Sequence, residues 1–301
     1  MYRKNRYKLV KIKSIKRKKN KSYKRPKNYI RVISFILLLF IICFFCYRFI
    51  RRKRVRKVIS IEKVDKDKQE KLKVLLPRFH SYAQTFEDFI LYYVFYDLEN
   101  GFYVDVGAND PITFSTTKSF YQRGWHGINI EPLPTKFKNL VHDRPRDINL
   151  QMGAGSKRGN ATLYVDGYNE CKSSFIYNKE MNNPPKITII MDTMANICKQ
   201  FVPTGTQIDF LKIDVEGSEK DVLLGYDFEN YRPKVICIES LNNTNNNNMP
   251  EYIDWEYILK ENDYEFVYEY WINRFYSDKR RIGMKDKFNG IEYYVNKYKK
   301  N

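Results

Sequence analysis

The residues with the clearest chemical potential begin at Asp105. The stretch Val104-Asp105-Val106-Gly107-Ala108-Asn109-Asp110 reads as a strand that ends in a small Gly-Ala turn. Such a turn lets a ligand approach the backbone closely, and a following helix would offer its N-terminus. Glu131 stands 24 residues after Gly107, at the end of the next apolar run, where a carboxylate can accept both hydroxyls of a ribose. The later glycines of a GxGxxG fingerprint are missing, with Asn109 and Ile112 in their places, so a dinucleotide pyrophosphate is not the natural guest. Ribose recognition without a pyrophosphate loop points to S-adenosylmethionine (SAM), whose cationic head also suits Asp105. Cofactor contacts are therefore expected from Asp105, Gly107, Ala108, Asn109 and Glu131. Taken singly, Asp105 could merely cap a turn and Glu131 could be a solvated strand end; the spacing of the set favours the ligand.

A second carboxylate group follows the run 208–213 (IDFLKI). Asp214 ends that run, Glu216 lies two residues on, and Glu219 opens the next helix. Lys212 and Asp214 share a face by the strand period of two. Asp214 is placed to take the proton of a hydroxyl or to position it, with Glu216 assisting. Capping of the next helix by Asp214 or Glu219 is the plainer alternative. Glu239, at the end of the following strand, is a weaker candidate for contacting substrate hydroxyls. Asp214, Glu216 and Glu239 could together hold a divalent cation through oxygen, but no metal is expected. The three histidines are poor bases here. His126 precedes its strand and so sits at the wrong end for a cleft, and His80 and His142 have no motif around them.

These residues need strands that deliver them to one edge. Residues 101–106, 127–130 and 148–152 read as strands, and 113–123 as a helix. The segments 161–165 and 186–190 alternate like an inserted hairpin. Strands at 208–213 and 233–239 are separated by a helix from Ser218, and 264–270 with 291–295 close the sheet. Alternation of this kind predicts a doubly wound α/β fold, with ligands at the carboxyl ends of the strands. Trp255, Tyr270 and Trp271 read as core.

Three blocks, 105–132 (DVGANDPITFSTTKSFYQRGWHGINIEP), 208–219 (IDFLKIDVEGSE) and 232–239 (RPKVICIE), resemble the FkbM family of methyltransferases. Ser81, Gln84, Glu87 and Asp88 resemble the family's lead-in, and Asp192 the aspartate that closes its inserted strand. The resemblance covers roughly residues 80–278 and implies a class I (Rossmann-like) SAM-dependent fold acting on hydroxyl oxygens of glycans or secondary metabolites. It also implies that Ser173 and Ser174, matching a serine pair of the family, face the cleft. Pro111 stands where many members carry glycine.

The formal net charge of +19 is not spread evenly. Residues 1–60 hold 22 of the 54 Lys and Arg residues and none of the 35 Asp and Glu residues. The rest of the chain is slightly acidic, which argues against a basic nucleic-acid-binding fold. Residues 1–31 read as a basic disordered arm and 32–50 as a single transmembrane helix with basic flanks suited to anionic lipid. Residues 51–79 read as a basic, mixed-charge stem, and 80–301 as the methyltransferase-like domain. The flanks carry equal numbers of basic residues, so the side of the membrane on which the domain lies is left open. Cys171, Cys198 and Cys237 form no CxxC pair and argue against a disulfide scaffold or zinc site. The expectation is thus a membrane-anchored, SAM-dependent O-methyltransferase taking a small-molecule, glycan or glycolipid acceptor, with no specific nucleic acid. An inactive methyltransferase-like scaffold at a membrane is the alternative.

Overall fold

The chain divides into two compact units, Met1–Asp67 and Lys68–Asn301. The computed structural model describes residues 66, 68–167, 170–177, 183–240 and 251–298, nearly all in the second unit. Its elements run α1 (Glu87–Val94), β1 (Phe102–Val106), α2 (Lys118–Gln122), β2 (His126–Ile130), α3 (Pro134–Asp143), β3 (Ile148–Leu150), β4 (Gly153–Gly155) and β5 (Gly159–Tyr164). They continue with β6 (Lys186–Thr193), α4 (Met194–Phe201), β7 (Phe210–Ile213), α5 (Glu219–Leu224), β8 (Val235–Glu239), α6 (Glu256–Glu261), β9 (Tyr264–Tyr270), β10 (Asn273–Asp278) and α7 (Ile291–Tyr298).

Seven strands form one mixed sheet in the order β3-β2-β1-β7-β8-β10-β9. The pairs from β3 through β8 are parallel, while β10 runs antiparallel to both β8 and β9. Strand order reverses at β1, with β2 and β3 added on one side and β7 and β8 on the other, and this is the switch point where a crevice opens at the carboxyl ends. The expected hairpin is present as β5 and β6, but it gains a third strand: β4 pairs in parallel with β6 to make a separate sheet ordered β4-β6-β5.

The central strands carry apolar side chains on both faces because both faces are covered. On β1, Val104 packs into one core with Leu211 and Ile236, while Tyr103 packs into the other with Phe210 and Val235. The period of two thus sorts neighbouring residues to opposite layers. The second layer is closed by α1, α7 and the helical stretch at 68–75, which buries Leu72.

Several expectations are corrected. The strand read at 291–295 is the start of α7, whose buried residues Ile291, Tyr294 and Val295 follow helical spacing. Its place in the sheet is taken by β10, a strand with only two apolar residues out of six and nonetheless wholly buried. Among its polar residues, Arg274 stacks on Tyr252 and Phe266 and pairs with Glu256 at 3.1 Å, and Asp278 pairs with Arg232 at 2.8 Å. The helix read at 113–123 is confined to α2, because Phe114 takes a left-handed backbone (φ 58°) that interrupts helix geometry. Trp255 is core, but Trp271 is 63% exposed at the β9–β10 turn. The single-pass membrane placement is also overturned. Among the described residues no helix is long and apolar enough to cross a membrane. The longest numbered helix has ten residues, against the roughly 20 a span requires. The run at 32–50 that prompted the expectation, and the basic arm before it, lie outside the described residues.

Candidate active site

A cleft open to solvent lies at the carboxyl ends of β1, β2 and β7. Its floor is the turn after β1. The Gly107 and Ala108 amides both donate to the Ile130 carbonyl, at 2.9 and 3.1 Å, which ties this turn to β2. Gly107 has φ +82°, and a Cβ built there would lie 1.8 Å from the Asp214 carbonyl oxygen. Glycine is therefore required twice over, for the left-handed backbone and for the approach of the β7 end. Asn109 (φ 50°), Phe114 (φ 58°) and Glu216 (φ 53°) are also left-handed and line the same cleft. Such backbone costs about 1–2 kcal/mol per non-glycine residue, and it tends to be retained where a site needs it.

Glu131 follows β2 directly with its side chain in the cleft, 4% exposed. Its two oxygens accept from the Asn109 amide at 2.7 Å and the Leu133 amide at 2.8 Å. Burial pushes the Glu131 carboxyl up to about 7, against those two amides and the nearby Lys136. Each oxygen keeps a second lone pair for a ligand hydroxyl.

Asp214 follows β7 on the opposite wall, with its side chain 32% exposed. The Lys212 ammonium, 3% exposed, lies 3.0 Å from Asp214 Oδ2, as the shared strand face predicted. Burial opposes ionisation of Asp214, but Lys212 and a hydrogen bond with Glu239 outweigh it and hold the carboxyl below its ordinary value. Glu239, behind Asp214, goes the other way. Burial and the Asp214 charge drive its carboxyl well above the usual range. Oxygens of Asp214, Glu216 and Glu239 lie within 4.8 Å of one another, close enough for a cation, and the Lys212 ammonium already stands against this group.

The structure brings Gly107, Asn109, Glu131, Ser173, Asp214 and Glu216 together as lining residues. It sets Asp105, Ala108, Ser174 and Glu239 behind them. Asp105 shares the Tyr103 face of β1, so it points into the α1 layer, where Thr117 Oγ1 donates to it at 3.0 Å. Burial pushes Asp105 up to about 6 despite Lys212. Ser174 Oγ donates to the Glu216 carbonyl at 2.8 Å and so holds the loop rather than the cleft. Glu219 does similar work, accepting from the amides of Val215 and Gly217 at 3.1 and 3.2 Å. Asp192 accepts from the Thr193 amide and Asn196 Nδ2, securing the start of α4. None of the three histidines lines the cleft.

Lining residues that the sequence motifs did not assign to the site include Gln84, Glu87, Phe114, Glu170, Cys171 and Phe175. Gln84 and Glu87 belong to the lead-in block, and that block was the available signal. Cys171 accepts from Asn109 Nδ2 at 3.0 Å, a contact across 62 residues with no local signature. Among the described lining residues are five carboxylates, from Glu87, Glu131, Glu170, Asp214 and Glu216, and no Lys, Arg or His.

A mixed α/β sheet with an acidic cleft at its switch point is consistent with a methyltransferase. The particular family follows from the sequence: the methyltransferase FkbM domain matches residues 105–266, more than half the chain, and the chain belongs to that family. Among solved structures, the crystal structure of methyltransferase FkbM from Methylobacillus flagellatus KT is similar at 16% identity, with a TM-score of 0.39. The match covers 60% of this chain and 44% of that one, so this chain spans less than half the length of that protein. No curated protein sequence matches the chain.

Proposed function

We propose that the chain is a SAM-dependent methyltransferase that modifies a hydroxyl oxygen of a glycan, glycolipid or related small metabolite. The observation that carries this reading is the charge of the cleft: five lining carboxylates without a cation among the described lining residues. That lining repels phosphates and suits a sulfonium. The residues fit such a cofactor in two further ways. Glu131 retains lone pairs for two ribose hydroxyls, and Ile130, Leu133, Leu163 and Phe175 offer apolar surface for a base. When bound, SAM supplies a methyl group already activated by its positive sulfur. The chain's own residues then have to position the acceptor and accept one proton. Asp214, ionised and accessible from the cleft, takes the proton of the acceptor hydroxyl, and Glu216 beside it orients that hydroxyl. Ser173 adds a polar contact on the opposite rim.

Calorimetric titration of the full chain with SAM and with S-adenosylhomocysteine tests the cofactor. Micromolar binding is expected for both, and none for NADH or ATP. A folded protein that binds neither adenosyl ligand at high micromolar concentration would sink the assignment. At pH 8, above the raised Glu131 value of about 7, Glu131→Gln should weaken S-adenosylhomocysteine by about 10- to 100-fold, because a charged acceptor of two hydrogen bonds, each worth about 1.5–3 kcal/mol, becomes a neutral one. Asp214→Asn should leave that affinity nearly intact while lowering methyl transfer from labelled SAM to a glycan panel by about 10²- to 10⁴-fold. Equal losses in binding and turnover would assign Asp214 to the cofactor instead.

A further inference from the structure

We propose that Lys212 is a positioning residue, whose buried ammonium aims the Asp214 carboxylate and decides which of two adjoining acids carries a proton. The inference rests on the reading of Asp214 as proton acceptor. Lys212 is 2% exposed and does not line the cleft, so it reaches a ligand only through Asp214. Its Nζ lies 3.0 Å from Asp214 Oδ2 and 3.1 Å from Asn273 Oδ1. Asn273 is itself fixed, since it stands opposite Glu239 in the β8–β10 register and donates through Nδ2 to Thr85 Oγ1 at 2.9 Å. Thr85 in turn donates to Glu87 Oε2 at 2.9 Å. The ammonium is therefore held from β7, from β10 and from the segment leading into α1.

The titratable groups around Asp214 and Lys212 come from the neighbouring elements: Glu216 in the Asp214 loop, Glu239 and the Cys237 thiol on β8, Asp105 on β1 and, toward Lys212, Glu87 on α1. Burial keeps the Cys237 thiol neutral. Lys212 is the one cation in this group. Two acids in contact share a single proton between them. With the ammonium against Asp214, that proton rests on Glu239. Asp214 is then the ionised partner, with its accessible side toward the cleft, and the proton it takes from an acceptor hydroxyl can leave to solvent.

Carboxyl carbon-13 NMR of the full chain, labelled at Asp and Glu side chains, tests this without an acceptor; Asp214→Asn and Glu239→Gln assign the two resonances. The wild-type Asp214 midpoint is expected below the ordinary aspartate value of about 3.9. Lys212→Arg should keep it low. Lys212→Met should raise it by about one unit or more. An unmoved midpoint in folded Lys212→Met overturns the proposal. If Lys212→Met fails to fold, Glu239→Gln decides: a midpoint that stays low supports Lys212, and one that returns to the ordinary range overturns it. S-adenosylhomocysteine affinity, measured on the same samples, should be unchanged in Lys212→Arg. Loss of that binding in the wild type would strike the cofactor reading and leave the Lys212 titration standing as a separate result.

Discussion

Gly107→Ala should lower the melting temperature by about 4–20 °C and abolish measurable S-adenosylhomocysteine binding. Two penalties add at this position. Alanine in left-handed backbone costs about 1–2 kcal/mol, and the φ of Gly107 is +82°. The new Cβ would also stand 1.8 Å from the Asp214 carbonyl oxygen, so a strand end must move, at about 1–3 kcal/mol for forced repacking. For a domain of this size each kcal/mol corresponds to about 2–4 °C. Gly205 separates the two penalties. Its φ is +78°, yet nothing lies within 4 Å of its Cβ position, so Gly205→Ala should show the backbone term alone, with cofactor affinity retained. Comparable losses in the two variants would show that the Gly107–Asp214 approach is unimportant. The expected asymmetry arises because displacement of the Gly107 turn also displaces Asn109, whose amide holds Glu131, and the Asp214 end of β7.

Much of this site was legible in the sequence where local pattern and chemistry coincide. Gly107 and Glu131 end consecutive strands, so their spacing alone placed them at one edge. Lys212 and Asp214 follow from the alternation of a single strand, and the 3.0 Å contact bears this out. Parity also explains what was less legible. Asp105 lies on the β1 face that packs under α1, and no one-dimensional motif distinguishes that face from the face toward the cleft. Glu87 and Cys171 reach the cleft from segments well separated from the strand ends, by contacts that depend on the tertiary fold. In the sheet itself, β10 lacks an apolar alternation because Asn273 is paired with Lys212 and Thr85, 61 and 188 residues away, and Arg274 with Glu256, 18 residues back. The start of α7 has β-branched and aromatic residues that read equally well as strand. Its helical identity comes from burial of Ile291, Tyr294 and Val295 against the α1 layer.

Arg144→Met should be the most destabilising substitution outside the cleft lining, costing about 3–5 kcal/mol, or roughly 6–20 °C in melting temperature. Arg144 is fully buried just after α3. Its guanidinium donates to the Pro111 carbonyl through Nε at 3.2 Å and Nη2 at 2.7 Å, and to Ser115 Oγ at 2.9 Å. It also lies 3.8 Å from Asp147 and over the Tyr121 ring. One side chain thus clamps the segment between Asn109 and α2 that carries Phe114 into the cleft, so cofactor affinity should fall together with stability. Lysine lacks the planar fork that reaches these partners at once, and Arg144→Lys should recover less than half of the loss. The pH dependence gives a sharper test. Burial already raises the Asp147 carboxyl above its ordinary value, against hydrogen bonds and the Arg144 charge. Removing that charge raises it further. Below the ordinary aspartate value both folded and unfolded chains hold the proton, so this added penalty is absent. As pH rises the unfolded chain ionises while the folded one resists, and the deficit of Arg144→Met should grow from pH 4 to pH 8. Asp147→Asn in the same background should remove that slope, because the neutral amide has no charge to bury. Urea midpoints across this range measure it, and a deficit independent of pH would mean that Arg144 acts through Pro111 and Ser115 alone.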